Sequence, residues 1–202
     1  MSRWRWSRGW IAAVGALALV AVVGPATPVA AWPSLTPTRW ELKTGYGYQY
    51  KNPETRPNNY QVHYLLPSLV VPLTDPIGPA WARGRFTWNP EVTLGFFTHP
   101  NNRPILGVAP LQARYEWEPI GRWSPYLLAG LGVLYAKINA RESGSEINFN
   151  LSEAVGVRYR WTQKASLLVE YRHIHISNAG LDEPNSGLNT HTFFAGVAVA
   201  LG

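Results

Sequence analysis

The chain has 202 residues, no cysteine and a formal net charge of +6. Its lysines and arginines are scattered singly rather than gathered into a patch, which sets a nucleic-acid-binding role aside. Without cysteines no disulfide can brace the fold, so backbone pairing and packing must hold it.

Residues 1–31 read as a targeting segment. Arg3, Arg5 and Arg8 precede an apolar run over residues 11–23. Pro25 and Pro28 break that run, and Val29, Ala30 and Ala31 offer small residues for cleavage. A membrane anchor fits less well, because the run is shorter than the ~20 residues a spanning helix needs. Removing this signal takes away three arginines and no acid, leaving +3. Residues 32–202 have the length of one domain.

No helical period stands out in that domain. Period-two alternation recurs instead, broken by turn clusters. It predicts eight strands, near residues 39–51, 60–72, 82–97, 105–118, 124–139, 146–161, 165–177 and 189–201. In the first, Trp40, Leu42, Thr44, Tyr46, Tyr48 and Tyr50 share one face, with Glu41, Lys43, Gly45, Gly47 and Gln49 on the other. In the third, Phe86, Trp88, Val92 and Leu94 oppose Arg85, Thr87, Asn89, Glu91 and Thr93. In the sixth, Glu153 is the one polar intruder on a face of Ile147, Phe149, Leu151, Val155, Val157 and Tyr159. The connections after the fourth and sixth strands are very short. Those after the first, third, fifth and seventh are longer and polar, as is TDPIGPA after the second.

A soluble β-sandwich would bury its aromatic faces and charge its outer ones. Here the aromatic faces are long and nearly uncharged, and the polar faces are small or hydrogen-bonding. An even strand number, alternating loop lengths and an export signal point to an all-β fold, an eight-stranded antiparallel outer-membrane β-barrel, apolar outside and polar inside. With both termini on the periplasmic side, Trp40, Trp81, Trp117, Trp123 and Trp161 fall at one end, as an interfacial belt. The last strand ends in Val199, Ala200, Leu201 and Gly202 without the terminal aromatic usual in such barrels. Eight strands leave room for side chains rather than a pore. Arg83, Arg85, Arg158, Arg160 and Arg172 are therefore expected to pair with Glu41, Glu91, Glu116 and Glu170 inside.

The seventh strand carries the candidate chemistry. Its outward face reads Leu167, Val169, Tyr171, His173, His175 and Ser177, and the strand leads into the turn NAGLDEPNSG. Residues two apart on a strand share a face. His175 and Ser177 are thus neighbours, as a general base and a hydroxyl nucleophile must be. They lie near the extracellular end of the strand, facing lipid. An ester-linked acyl chain of lipid A could reach them there without leaving the bilayer. His63, His99 and His191 have no Cys or acid at ligand spacing, so neither metal nor cofactor is expected. His173 reads as an interfacial residue.

The run His175, Ile176, Ser177, Asn178, Ala179, Gly180, Leu181, with Pro184, Asn185 and Gly187, resembles the signature of the PagL-type lipid A 3-O-deacylases, also called the acyloxyacyl hydrolase family. The resemblance implies Ser177 as nucleophile and His175 as general base. It implies that Asn178 and the backbone near Gly180 hold the oxyanion, and that lipid A or lipopolysaccharide in the outer membrane is the substrate. In that family a glutamate twelve residues after the serine orients the histidine. Here that position is Asn189, on the face shared by Phe193 and Val197. An amide can orient an imidazole but cannot stabilise imidazolium by charge. Asp182 and Glu183 are alternative acids, or simply solvated loop charges. The change at Asn189 also leaves open a non-catalytic barrel with a structural or surface-interaction role. A homodimer is the one protein partner left open.

Overall fold

The computed structural model describes residues 35–49, 59–138 and 143–201. The chain divides into two units, residues 1–32 and 33–202, and every described residue lies in the second. The expected signal segment, the end of the first predicted strand and the tip of the fifth therefore lie outside the described residues. Nine strands run in chain order: β1 Arg39–Gln49, β2 Gln61–Pro72, β3 Gly84–Trp88, β4 Glu91–His99, β5 Arg103–Trp117, β6 Trp123–Ala136, β7 Ile147–Arg160, β8 Ala165–Ser177 and β9 Leu188–Ala200. All pair antiparallel with their neighbours, and β1 pairs with both β2 and β9, so the sheet closes on itself. β3 and β4 are two halves of one stave, both lying between β2 and β5. The barrel has eight staves, as expected.

The split in the third stave corrects the continuous strand predicted over 82–97. Proline has no backbone N–H to give to the ladder, so regular pairing lapses at Asn89 and Pro90. The register continues through the gap. Leu69 N–H donates to the Pro90 carbonyl at 3.1 Å, and Asn89 N–H to the Gln112 carbonyl at 2.9 Å. A second irregularity sits opposite. Val108 pairs with Val133 and Leu111 with Leu131, so Ala109 and Pro110 together face Gly132. This β-bulge switches which residues of β5 point inward, from Ile105 and Ala109 to Gln112, Arg114 and Glu116.

Alternation decides the two surfaces. Leu65, Leu94, Phe96, Leu106, Leu131, Val169 and Phe193 are exposed on the outer wall. Such an apolar belt around a closed sheet is a lipid-facing surface. Trp40, Trp81, Trp117, Trp123 and Trp161 all lie at one end, the end of the short turns. There Ile120 and Trp123 close a two-residue hairpin by reciprocal bonds of 2.8 and 3.1 Å, with Gly121 at φ +65°.

The lumen is filled in layers. Toward the end that carries the long connections, Val62, Tyr64, Leu66, Ile105, Leu134, Ile174, Ile176 and Leu188 form an apolar plug. Each such side chain contributes roughly 1.5–3 kcal/mol when buried. Below it lies an ion-pair layer. Arg172 meets Glu91 at 2.6 Å and Glu170 at 2.6 Å, and Lys43 meets the same two acids at 3.1 and 3.2 Å. Tyr126 donates to Glu170 at 2.9 Å, and Arg114 grips Glu41 with two bonds of 2.7 and 2.8 Å. Glu116 joins Arg39 and Arg158 nearer the tryptophan end. Of the arginines expected inside, Arg158 and Arg172 are there. Arg83 pairs instead with Glu118 in the open, and Arg85 and Arg160 are exposed at the rim. Lys43, Arg114 and Arg39 take their places as partners of the inward acids.

Candidate active site on the outer wall

β8 alternates without a break. Leu168, Glu170, Arg172, Ile174 and Ile176 are buried in the lumen, while Tyr171, His173, His175 and Ser177 lie on the outer wall. The apolar plug therefore stands directly behind the candidate site. Ile174, Ile176 and Leu188 fix the backbone from which His175, Ser177 and Asn189 project. From Ala165, near the tryptophan end, Ser177 is twelve residues along a strand. At a ~40° tilt this is a rise of about 30 Å, enough to cross the apolar band and reach the depth of lipid esters.

His175 pairs across the sheet with Asn189 on β9 and with Leu151 on β7. Its Nδ1 lies 2.9 Å from Asn189 Oδ1. The amide oxygen can only accept, so Nδ1 carries the proton and the lone pair rests on Nε2. That is the tautomer a general base requires. Ser177 stands one outward step further along β8, opposite Phe149.

The turn after Ser177 is built by Asn178. Its carbonyl accepts from Leu181 N–H at 3.1 Å, closing a tight turn whose central residues, Ala179 and Gly180, sit at φ 55° and 80°. Its side chain accepts from Gly180 N–H at 2.9 Å and donates to the Asp182 carbonyl at 2.7 Å. Its own N–H donates to Asn185 Oδ1 at 3.1 Å. Asn178 is fully buried, and it and Gly180 engage each other in the free protein. A left-handed alanine beside the hydroxyl is a sparsely populated conformation of the kind found at working sites.

Asp182 and Glu183 are exposed on the loop, where Asp182 Oδ1 accepts from Glu183 N–H at 2.9 Å. The side-chain hydrogen bond of His175 goes to Asn189, not to either acid. The loop is steadied from the connection between β6 and β7 by Gly144 N–H, which donates to the Pro184 carbonyl at 2.8 Å.

Two residues gain a place only in three dimensions. Gly187 carries φ +71°, and a Cβ there would lie 2.9 Å from Cε1 of His175. Its backbone is the wall against which the imidazole rests. Glu153 faces outward on β7, directly opposite His173. Alternation marks it as an intruder, but nothing in the pattern gives its neighbour. His173 in turn faces His191, the rings 5.6 Å apart, and His191 Nδ1 bonds the Tyr171 hydroxyl. Among the described residues no group of three or more His, Cys, Asp or Glu could hold a metal ion.

A closed eight-stave antiparallel sheet with an apolar outer wall is a transmembrane β-barrel of the outer-membrane type, here with Ser177 and His175 both on the outward face of one stave. The chain belongs to the lipid A 3-O-deacylase (PagL) family, whose model matches residues 76–198. The lipid A deacylase PagL of Pseudomonas aeruginosa is 32% identical over 73 residues, covering 35% of this chain. That alignment spans only 40% of the relative. The crystal structure of the outer membrane enzyme PagL aligns with a TM-score of 0.61 at 21% identity, over 80% of this chain and 99% of that one. Neisserial surface protein A aligns with a TM-score of 0.50 at 15% identity, over 81% of this chain and 96% of that one. Both structures attest the barrel alone.

Proposed function

We propose that this protein is an outer-membrane serine esterase that removes an ester-linked acyl chain from lipid A of lipopolysaccharide. The observation that carries the reading is the His175–Asn189 hydrogen bond, which leaves Nε2 free as a base on the wall that also bears Ser177. Ser177 Oγ attacks the ester carbonyl as His175 takes its proton, and the same proton then goes to the departing sugar oxygen, leaving the acyl group on Ser177. Water, giving a proton to His175, then attacks that ester, and the proton returns to Oγ as the fatty acid leaves. Asn178 and the backbone at Gly180 hold the oxyanion. Receiving it means sharing donors that otherwise bond within the turn. The left-handed Ala179 links Asn178 to Gly180 in the turn that follows Ser177.

The substrate's place derives from the outer wall. Its acyl chains lie along the apolar staves while the ester stays at the depth of Ser177. A homodimer would have to pair through staves away from β8, since lipid needs access to that strand. The reaction needs no metal or cofactor beyond the enzyme's own side chains.

The decisive test is a mass spectrum of lipid A from cells expressing the wild type and Ser177→Ala. The wild type should remove one acyl chain and the variant none, a loss of several powers of ten in rate. An unmodified spectrum in both, with the protein folded in the outer membrane, would leave a non-catalytic barrel as the better description.

A further inference from the structure

Among the described outward positions of the spanning strands, Glu153 is the one carboxylate. Its cross-strand neighbours are Ala129 on β6 and His173 on β8. No lysine or arginine forms an ion pair with it among the described residues. A charge on a lipid-facing wall opposes folding. A residue that breaks the local rule without structural return points to function.

The register gives the neighbours of that charge. Glu153 opposes His173, and His175 is the next outward residue on the same strand, so Glu153 and His175 are diagonal neighbours. Such positions lie about 7–8 Å apart and are within reach of a long side chain. On the far side of His175 stands Asn189, which orients the ring and brings no charge. His173 and His191 line the strip between these strands with polar rings rather than hydrocarbon.

We propose that Glu153 supplies the negative charge that Asn189 lacks, stabilising the imidazolium of His175 from the neighbouring strand. The inference rests on the deacylase reading. In acylation the Ser177 Oγ–H bond breaks as the Oγ–carbonyl bond forms, and the proton moves to Nε2 of His175. The cation arises at a lipid surface, where a charge one diagonal step away counts for more than in water. Orientation and charge compensation are thus divided between two strands, Asn189 for the first and Glu153 for the second. Glu153 is a positioning residue and does not touch the ester.

The test measures fatty-acid release from purified lipid A by the full-length protein in detergent, with Glu153→Gln and Glu153→Leu beside the wild type. Both variants should lower kcat roughly tenfold to fiftyfold with KM unchanged. Both should keep their folded gel mobility to the same or a higher temperature, because a charge has left the lipid wall. In an Asn189→Glu background the loss should shrink to within about threefold, since a carboxylate then already stands beside the ring. A kcat within about twofold of wild type in both single variants would overturn the proposal. So would a raised KM at constant kcat, or an equal loss in the Asn189→Glu background. Wild type that releases no fatty acid overturns the deacylase reading and this inference together. An active wild type with indifferent Glu153 variants overturns this inference alone.

Discussion

His175 is held by the amide of Asn189 and not by a carboxylate, and the consequences can be measured at that residue. Asn189 Oδ1 fixes the ring through Nδ1 at 2.9 Å. Asn189→Ala removes this anchor and frees the ring to adopt the other tautomer, so kcat should fall roughly tenfold or more. Asn189→Glu keeps the acceptor and adds a charge beside the forming imidazolium, so activity should hold or rise. A carboxylate near the outer edge of the lipid wall costs about 0–1 kcal/mol, less than one at the midplane. The folded fraction on an unheated gel should therefore be read beside kcat. An Asn189→Ala protein as active as wild type would place the orienting group elsewhere.

At the scale of the element, the loop between β8 and β9 does more than connect them. Asn178 ties its first half by four hydrogen bonds, and Gly187 brings its end against the imidazole. Gly187→Ala meets two obstacles, a left-handed backbone and a Cβ 2.9 Å from His175 Cε1. It should lower stability by about 1 kcal/mol and kcat by roughly tenfold, because the ring must shift. Gly121→Ala provides the contrast. It has φ +65° in the hairpin at the opposite end, with nothing within 4 Å of its would-be Cβ. It should show a similar stability loss, read by urea titration of the membrane-embedded protein, and an unchanged kcat.

For the whole molecule the filled lumen sets stability. Arg114 and Glu41 are both fully buried and joined by two bonds. Arg114→Met takes both of these bonds from the buried Glu41 carboxylate and leaves it only Arg39 Nε at 3.0 Å, so it should cost up to about 3–5 kcal/mol. Adding Glu41→Leu removes the under-compensated charge, while Arg39 keeps Glu116, and should recover most of that loss. The temperature at which the compact gel band converts to the unfolded one reports both changes. The pair lies away from the Ser177 end, so activity below that temperature should not move. Such heat-dependent mobility is itself expected of a barrel whose β1–β9 seam is fully paired.

Much of this molecule is legible in one dimension, because a strand's inward and outward sets are fixed by period-two alternation alone. The outward face of β8, the Ser177–His175 spacing, the eight staves and the tryptophan end all derive from local pattern. Asn189 could be placed on the right face, but its bond to Nδ1 of His175 depends on the β8–β9 register. Register and closure are non-local: they are set by the summed ladder bonds and the packing of the lumen, which no single segment encodes. They alone decided that Glu153 stands opposite His173, that Gly187 abuts the imidazole and that Lys43 meets Glu91 and Glu170. The bulge at Ala109 and Pro110 belongs to the same class. It turns Arg114 inward to Glu41 against the alternation begun at Ile105, because the extra residue opposite Gly132 shifts the inward set of β5 by one position.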